Sequence, residues 1–233
     1  MPQTYGRGQV EWALWRSFTR TQYSDTPVPQ IFRTRIKRLL EIDRDLDLKD
    51  AEVSPKADYA FAPPPSAESG DAAYAAVDAF CLAIALDLLD AGFKQAEIVF
   101  LMRVLRSGLD RRFSNLLAPP LLIDRQRHRA RNYPNLPFYN DDGKRLADNR
   151  VFVVVQKLEL TEIIPASAQR RHAESVILQP VFCAGATALG AKLHDIMPDR
   201  RRTATVLEVA ATAQAVQAFL DAAPIIRRGR PKA

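Results

Sequence analysis

The sequence predicts a mainly helical protein with a small β component, an α+β fold in which helices dominate. Three observations support this prediction. Apolar side chains recur every three or four residues in several segments, which is the helical period. The apolar stretch 72–91 ends at a glycine and is followed at once by a second helical segment. One run, 151–160, is rich in β-branched residues and then alternates as a strand does.

Length and composition restrict the class of protein further. The chain has 233 residues, of which 47% are hydrophobic and 26% charged, so it can fold around a core of its own. Asp78 and Asp87 interrupt the most apolar stretch, so we expect no membrane-spanning segment. The first residues lack a basic and then apolar signal sequence, which favours a cytoplasmic protein. Cys81 and Cys183 each lie in an apolar run and are predicted to be reduced core thiols.

The N-terminal region, residues 1–110, is predicted to begin with two helices. The first spans about 9–19, because apolar residues recur there every four positions. The second spans about 29–43 and is amphipathic and basic. Its apolar set is Ile31 or Phe32, then Ile36, Leu39, Leu40 and Ile42. The following segment, 45–71, is rich in proline, serine and aspartate, so it forms either a loop with a short strand at 58–61 or a linker.

An αα-hairpin is predicted next. Its helices span about 72–91 and 94–107, and Gly92 is expected in the left-handed conformation that ends the first of them. Gly108 is expected to end the second helix.

The remaining chain is predicted to contain an irregular basic connector, 111–144, and an α+β region, 145–224. The run 151–160 is the clearest strand of the sequence. A second run, 175–182, either pairs with it, with Pro180 forcing an edge position or a bulge, or belongs to a helix that begins near His172. Two further helices are expected at about 184–196 and 203–222.

Charge is unevenly distributed along the chain, whose net charge is +6. Residues 51–110 carry four basic and nine acidic side chains, whereas residues 111–150 carry nine basic and four acidic ones. One basic segment, 125–133, alternates arginine with other residues; it suits phosphate or an acidic protein partner, and it is equally typical of a solvated loop. This asymmetry indicates a surface for a polyanion such as nucleic acid.

The C-terminal tail, residues 225–233, contains the most specific short motif. It resembles an AT-hook, in which a Gly-Arg-Pro core with basic flanks lies in the minor groove of A·T-rich DNA. Glycine lets the backbone approach the groove floor, proline keeps the chain extended, and arginines suit a narrow, negative groove. A solvated basic tail is the alternative. The residues concerned are Arg227, Arg228, Gly229, Arg230, Pro231 and Lys232.

Residues 9–107 resemble, in the order of their elements, the DNA-binding domain of MerR-type regulators, which is a winged helix-turn-helix. The residues 91–98 match that family's Gly-Phe-x-x-x-Glu-Ile turn, although a generic α-hairpin accounts for the same pattern. The resemblance implies a recognition helix at about 29–43 and a wing from about Asp58 to Tyr74, with Tyr59 near the DNA. The link between the first two helices is longer than the family's tight turn.

The second helix supplies the other candidate DNA-binding residues. Arg33, Lys37 and Arg44 are predicted to share one face, and Arg35 and Arg38 a neighbouring one; a solvated helix face is the alternative. Sequence signatures of enzymes, such as phosphate-binding glycine loops, nucleophile elbows and zinc motifs, are absent, so we predict a non-enzymatic protein without catalytic residues, metal or cofactor.

Taken together, these patterns predict a DNA-binding protein, most simply a bacterial transcriptional regulator. It would place its basic helix in the major groove of double-stranded DNA and its tail in an A·T-rich minor groove. Because two weak half-sites need a twofold partner, we expect a homodimer formed through the 145–224 region. The alternative is a non-enzymatic adaptor or structural protein whose arginine-rich segments bind protein partners.

Overall fold

The computed structural model describes residues 3–19, 26–46, 59–64, 72–117, 150–157, 180–195 and 203–225. The chain divides into two compact units. The first is formed by residues 1–113 and 215–233, and the second by residues 114–214. The predicted mainly helical fold with a small β component is confirmed. No helix in the described part of the chain is both long enough and apolar enough to cross a membrane.

The first unit contains helices α1 (Arg7–Phe18), α2 (Gln30–Asp45), α3 (Ala76–Asp90) and most of α4 (Gln95–Leu116). Two short strands, β1 (Tyr5–Gly6) and β2 (Ala73–Tyr74), pair antiparallel, with Tyr5 opposite Tyr74. The third helix is buried on almost every side, as its Ala- and Leu-rich sequence requires. It therefore forms the centre of this unit, and the more amphipathic α2 presents one face to the core and one to solvent.

The turn between α3 and α4 contains the predicted left-handed glycine. Gly92 has a φ of 85°, and its N–H donates to the carbonyl of Leu89 at 3.1 Å. Phe93 donates to the carbonyl of Leu88 at 3.1 Å, which completes a Schellman motif. The predicted end at Gly108 is wrong, because α4 continues to Leu116. Buried leucines at 105, 109 and 116 keep the helical spacing beyond this glycine, and their burial outweighs its low helix propensity.

Two other predicted elements differ at their N-terminal ends. Residues 72–75 are not helical, because Ala73 and Tyr74 pair with the N-terminal strand instead. The last helix, α6 (Val209–Asp221), starts later than predicted because Thr203–Glu208 forms a strand. The β-branched residues Thr203, Thr205 and Val206 suit an extended chain. The change to helix occurs where Glu208 accepts hydrogen bonds from the N–H groups of Ala210 and Ala211.

The second unit holds a three-stranded antiparallel sheet in the order β4-β3-β5, formed by β3 (Val151–Lys157), β4 (Val181–Ala184) and β5 (Thr203–Glu208). Strand β4 pairs with β3 at an edge of the sheet, which agrees with the predicted pairing and edge position. It begins only after Pro180 and continues to Ala184, and residues 175–179 of the predicted run lie outside the described residues. Helix α5 (Gly185–His194) follows at once and packs on β4 and β3. A small core is formed by Phe152, Val154 and Cys183 with side chains including Ala188 and Leu189.

Four predicted features lie wholly or partly outside the described residues. These are the loop or wing segment, at residues 47–58 and 65–71, the connector from residue 118 to 149, including the arginine-alternating segment 125–133, the run 158–179, and the tail from residue 226 onward. Their predictions therefore stay predictions. The described residues 215–225, which precede the tail, belong to the N-terminal unit.

Candidate nucleic-acid interface

The N-terminal end of α2 is held against α1 by three aromatic rings. The ring of Phe32 lies 5.4 Å from that of Trp15 and 6.2 Å from that of Phe18, both in edge-to-face geometry. This contact settles the open choice in the apolar set, since Phe32 is buried and Ile31 is 67% exposed. Ile36, Leu39 and Leu40 continue the buried face along the helix.

The C-terminal end of α2 is held by a buried ion pair. The Asp43 carboxylate accepts a hydrogen bond from Nε of Arg103 at 2.9 Å, and its side chain is 1% exposed. It also accepts the N–H groups of Ala60 and Phe61 at 2.9–3.2 Å. Arg103 in turn donates to the carbonyls of Leu46, at 3.0 Å, and of Asp43. Each nitrogen of the Arg103 guanidinium and each oxygen of the Asp43 carboxylate therefore has a hydrogen-bond partner inside the protein.

A second arginine of α4, Arg106, also binds residues 60–61. Arg106 donates to the carbonyls of Ala60 at 3.3 Å and Phe61 at 2.7 Å and to the carboxylate of Asp78 at 2.6 Å. Burial raises the pKa of Asp78, although the Arg106 guanidinium opposes that shift. The two arginines thus tie residues 60–61 to α2, α3 and α4. Fixed at both ends, α2 can present its outer face as a rigid surface.

The Arg103 side chain also contacts Tyr59. The Arg103 guanidinium lies over its ring, 6.0 Å from the centroid, and Tyr59 is half-buried. The expected strand at 58–61 is not formed by its described residues, which make a bend instead. The role of Tyr59 as a DNA contact, which the family resemblance implied, remains a prediction.

The outer face of α2 carries five exposed cations in two stripes. We call Arg33, Lys37 and Arg44 the Arg33 stripe, and Ile31, Arg35 and Arg38 the Arg35 stripe. Spacings of three, four and seven residues align the side chains within each stripe, as predicted from the sequence. All six side chains are exposed.

The two stripes differ in their acidic neighbours. Arg33 lies 3.7 Å from Glu11 of α1, and Lys37 lies 3.4 Å from Glu41 one turn further along α2. Among the residues that the structure describes, no acidic group lies within ion-pair distance of Arg35 or Arg38. Two guanidiniums and an exposed isoleucine thus form a cationic and partly apolar surface. An isolated exposed isoleucine is ordinary, but here it continues a row of arginines.

The cysteines and the side chains that could bind a metal ion are the other candidate reactive groups. Both cysteines are free and buried, as predicted, and burial raises the pKa of the Cys81 thiol to about 12, so it stays protonated near neutral pH. Within the described ranges, no three His, Cys, Asp or Glu side chains lie close enough together to hold a metal ion.

Comparison with known proteins adds no assignment. No known protein family, curated protein or solved structure matches this chain.

Sequence reasoning placed the five cations of α2 on two faces, and the structure places them there. The sequence did not reveal the role of Asp43, Arg103 and Arg106. Asp43 and Arg103 lie 60 residues apart and meet only in the folded chain. An acidic residue within the apolar face of a predicted amphipathic helix was the one signal in the sequence. Such a residue needs a partner when it is buried, but the sequence does not say which.

Proposed function

We propose that this protein binds double-stranded DNA through the outer face of α2, with the Arg35 stripe as its main contact in the major groove. The observation that carries the proposal is the pair of exposed guanidiniums, Arg35 and Arg38, beside Ile31 on a helix that is fixed at both ends. Arginine contacts both phosphates and the guanine edge, and an isoleucine can contact the methyl group of thymine.

The Arg33 stripe has a secondary part in this proposal. A cation that already has an acidic neighbour adds less to phosphate binding, since that ion pair must weaken when DNA approaches. Arg33 and Lys37 have such neighbours. Arg35 and Arg38 release bound counterions from DNA without this compensation.

In its wider context the protein would act as a transcriptional regulator, working as a homodimer in the cytoplasm. Its tail would bind an A·T-rich minor groove. The dimeric state fits the modest size of the α2 surface, because one helix face supports only a half-site.

Duplex affinity of two matched double variants tests the proposal. Arg35→Ala with Arg38→Ala should weaken binding about tenfold or more and reduce the slope of log affinity against log salt by about two. Arg33→Ala with Lys37→Ala removes the same charge from the same helix and should have a clearly smaller effect. All four side chains are exposed, so melting temperatures should hardly change.

The possible results separate the hypotheses. Equal losses in both variants would overturn the assignment of the contact to the Arg35 stripe. A chain that shows no salt-dependent affinity for any duplex, and whose variants match the parent, would overturn DNA binding altogether.

A further inference from the structure

The sheet of the second unit has its longer edge at strand β5. The order β4-β3-β5 places β3 in the centre, and the register pairs all six residues of β5, Thr203–Glu208, with β3. In an antiparallel ladder, every second residue of an edge strand directs its N–H and C=O groups away from the neighbouring strand. Within the described part of the chain, no strand pairs with these groups on the outer side of β5.

The outer edge of β5 lacks the features by which proteins keep an edge strand from pairing with another chain. Edges that stay free usually carry charged residues or proline, or are very short. Residues 203–207 are Thr-Ala-Thr-Val-Leu, without a charge or a proline. Strand β4, at the opposite edge, has only four residues and directly follows Pro180. Of the two edges, β5 is therefore the one suited to pair with a further strand.

A row of three valines crosses the sheet and ends at this edge. Val154 of β3 lies opposite Val181 of β4 and opposite Val206 of β5, so the three side chains share one face. Helix α5 packs on this face over β4 and β3, and its Ala188 and Leu189 join the core around Val154. Val154 is 1% exposed, whereas Val206 is 38% exposed. Among the described residues, the cover of this face thus ends between β3 and β5.

The symmetry of an antiparallel edge makes a second copy of the chain a fitting partner. A half-turn about an axis perpendicular to the sheet reverses the direction of β5 and keeps each face of the sheet on its own side. The axis then passes between two identical residues. With the axis between the two Val206 residues, the row of three valines continues as a row of six. Each uncovered valine therefore meets an identical apolar side chain.

We infer that two copies of the chain pair through β5 into one six-stranded antiparallel sheet, with Val206 at the twofold axis and both α5 helices on one face. The inference rests on the homodimer of the proposed function and names its interface. Six residues a side are fewer than the roughly 20–30 of a standard interface, so the strands alone would support only a weak dimer. The exposed Leu193 of α5 lies on the same side of the sheet and adds apolar surface there.

Charged substitutions at Val206 test the inference in the full chain, without DNA. Val206→Lys and Val206→Glu each place two like charges opposite one another at the axis. Each should therefore raise the dimer dissociation constant about tenfold or more. An equimolar mixture of the two variants should restore the dimer, because a lysine then lies opposite a glutamate. Sedimentation velocity at a series of concentrations measures all three samples beside the parent.

Asn115 provides the matched controls. Asn115→Lys and Asn115→Glu add the same charges at an exposed position of α4 and should leave the dissociation constant unchanged. A parent dimer that tolerates both Val206 variants would place the interface elsewhere and overturn the inference. So would two monomeric Val206 variants whose mixture stays monomeric, because direct contact across the axis predicts rescue.

Hydrogen exchange of the parent reports on the strand edge itself. The outward N–H groups within residues 203–207 should exchange more slowly as the protein concentration rises, because dimerisation gives them partners. Equal protection at every concentration in a monomeric chain would show that another segment of the same chain covers this edge. Equal exposure at every concentration would show that nothing pairs with it. Either result would overturn the inference.

Failure of the inference and failure of the proposed function are separable, since these measurements contain no DNA. A monomeric chain that binds duplex through α2 would overturn the inference and leave DNA binding intact. A dimer that depends on Val206 but shows no salt-dependent affinity for any duplex would overturn DNA binding and leave the interface intact.

Discussion

Asp43 of α2 and Arg103 of α4 form an ion pair at 2.9 Å in which the side chains are only 1% and 6% exposed. The pair holds the C-terminal end of the basic helix and orders residues 60–61 through their N–H groups. Taking two charges out of water is costly, so the pair depends on its complete set of hydrogen bonds. It fixes the position of α2 relative to α4.

Loss of one partner of this pair should be strongly destabilising. Arg103→Met leaves a buried carboxylate without a cation, and we expect it to lower the free energy of unfolding by about 3–5 kcal/mol. Arg111→Met on the same helix removes an exposed guanidinium and should change it by less than about 0.5 kcal/mol. Urea unfolding followed by circular dichroism measures both. Similar values for the two variants would contradict the structural role of the pair.

Two glycines offer a test of backbone conformation alone. A Cβ atom would meet nothing within 4 Å at Gly92 or at Gly190, but Gly92 has a φ of 85° and Gly190 lies within α5. Gly92→Ala should therefore lower the free energy of unfolding by about 1–2 kcal/mol. Gly190→Ala should raise stability by about 0.5–1 kcal/mol, because alanine restricts the unfolded chain and favours helix. Thermal melts of each variant beside the parent give the signs, and a stabilising Gly92→Ala would be inconsistent with the left-handed turn.

Asp87 should make stability depend on pH. Burial, and secondly the charge of Asp90, raise its pKa from 3.8 to about 6. The native state therefore holds this proton more tightly than the unfolded chain. The resulting stabilisation is complete below about pH 4 and is lost as pH rises through 6. Both carboxylates also lie at the unfavourable, negative end of the α3 dipole.

Asp87→Asn should remove this loss. We expect it to be more stable than the parent at pH 7.5, by on the order of 1 kcal/mol once solvent screening of a half-buried side chain is allowed for, and nearly equal to it at pH 4. Asp90→Asn, at an exposed position, is the control and should have a smaller effect. Unfolding curves across this pH interval decide the question. A parent and an Asp87→Asn variant with parallel pH profiles would exclude a raised pKa.

Ile31 provides a test of base contact that is separate from charge. If its side chain meets a thymine methyl group in the major groove, replacing thymine by deoxyuridine in the selected duplex should weaken binding by the parent severalfold. Binding by Ile31→Ala should be insensitive to that replacement. The exposed position of Ile31 predicts an unchanged melting temperature. Equal sensitivity of both chains to uracil would place the isoleucine away from the bases.

The local patterns of the sequence determined much of the fold. Helical spacing located α1, α2 and the α3–α4 hairpin, and Gly92 marked the end of α3 because only glycine readily adopts its φ. The two faces of cations on α2 also followed from spacing alone. The predictions were wrong where contacts with residues distant in the sequence outweighed the local conformational preference. Gly108 did not end α4, and residues 203–208 became a strand because the edge of β3 accepted them.

Only the tertiary structure decided that Arg33 has an acidic neighbour on another helix and how α2 is held. Glu11 lies 22 positions before Arg33 in the sequence, and Arg103 lies 60 after Asp43; no periodicity relates such positions. The hydrogen bond from the Gln9 amide to the carbonyl of Ala223 likewise joins residues 214 positions apart. Spacing fixes which side chains share a face within one element. Which elements meet depends on burial and hydrogen bonding over the whole chain, and therefore appears only in the folded protein.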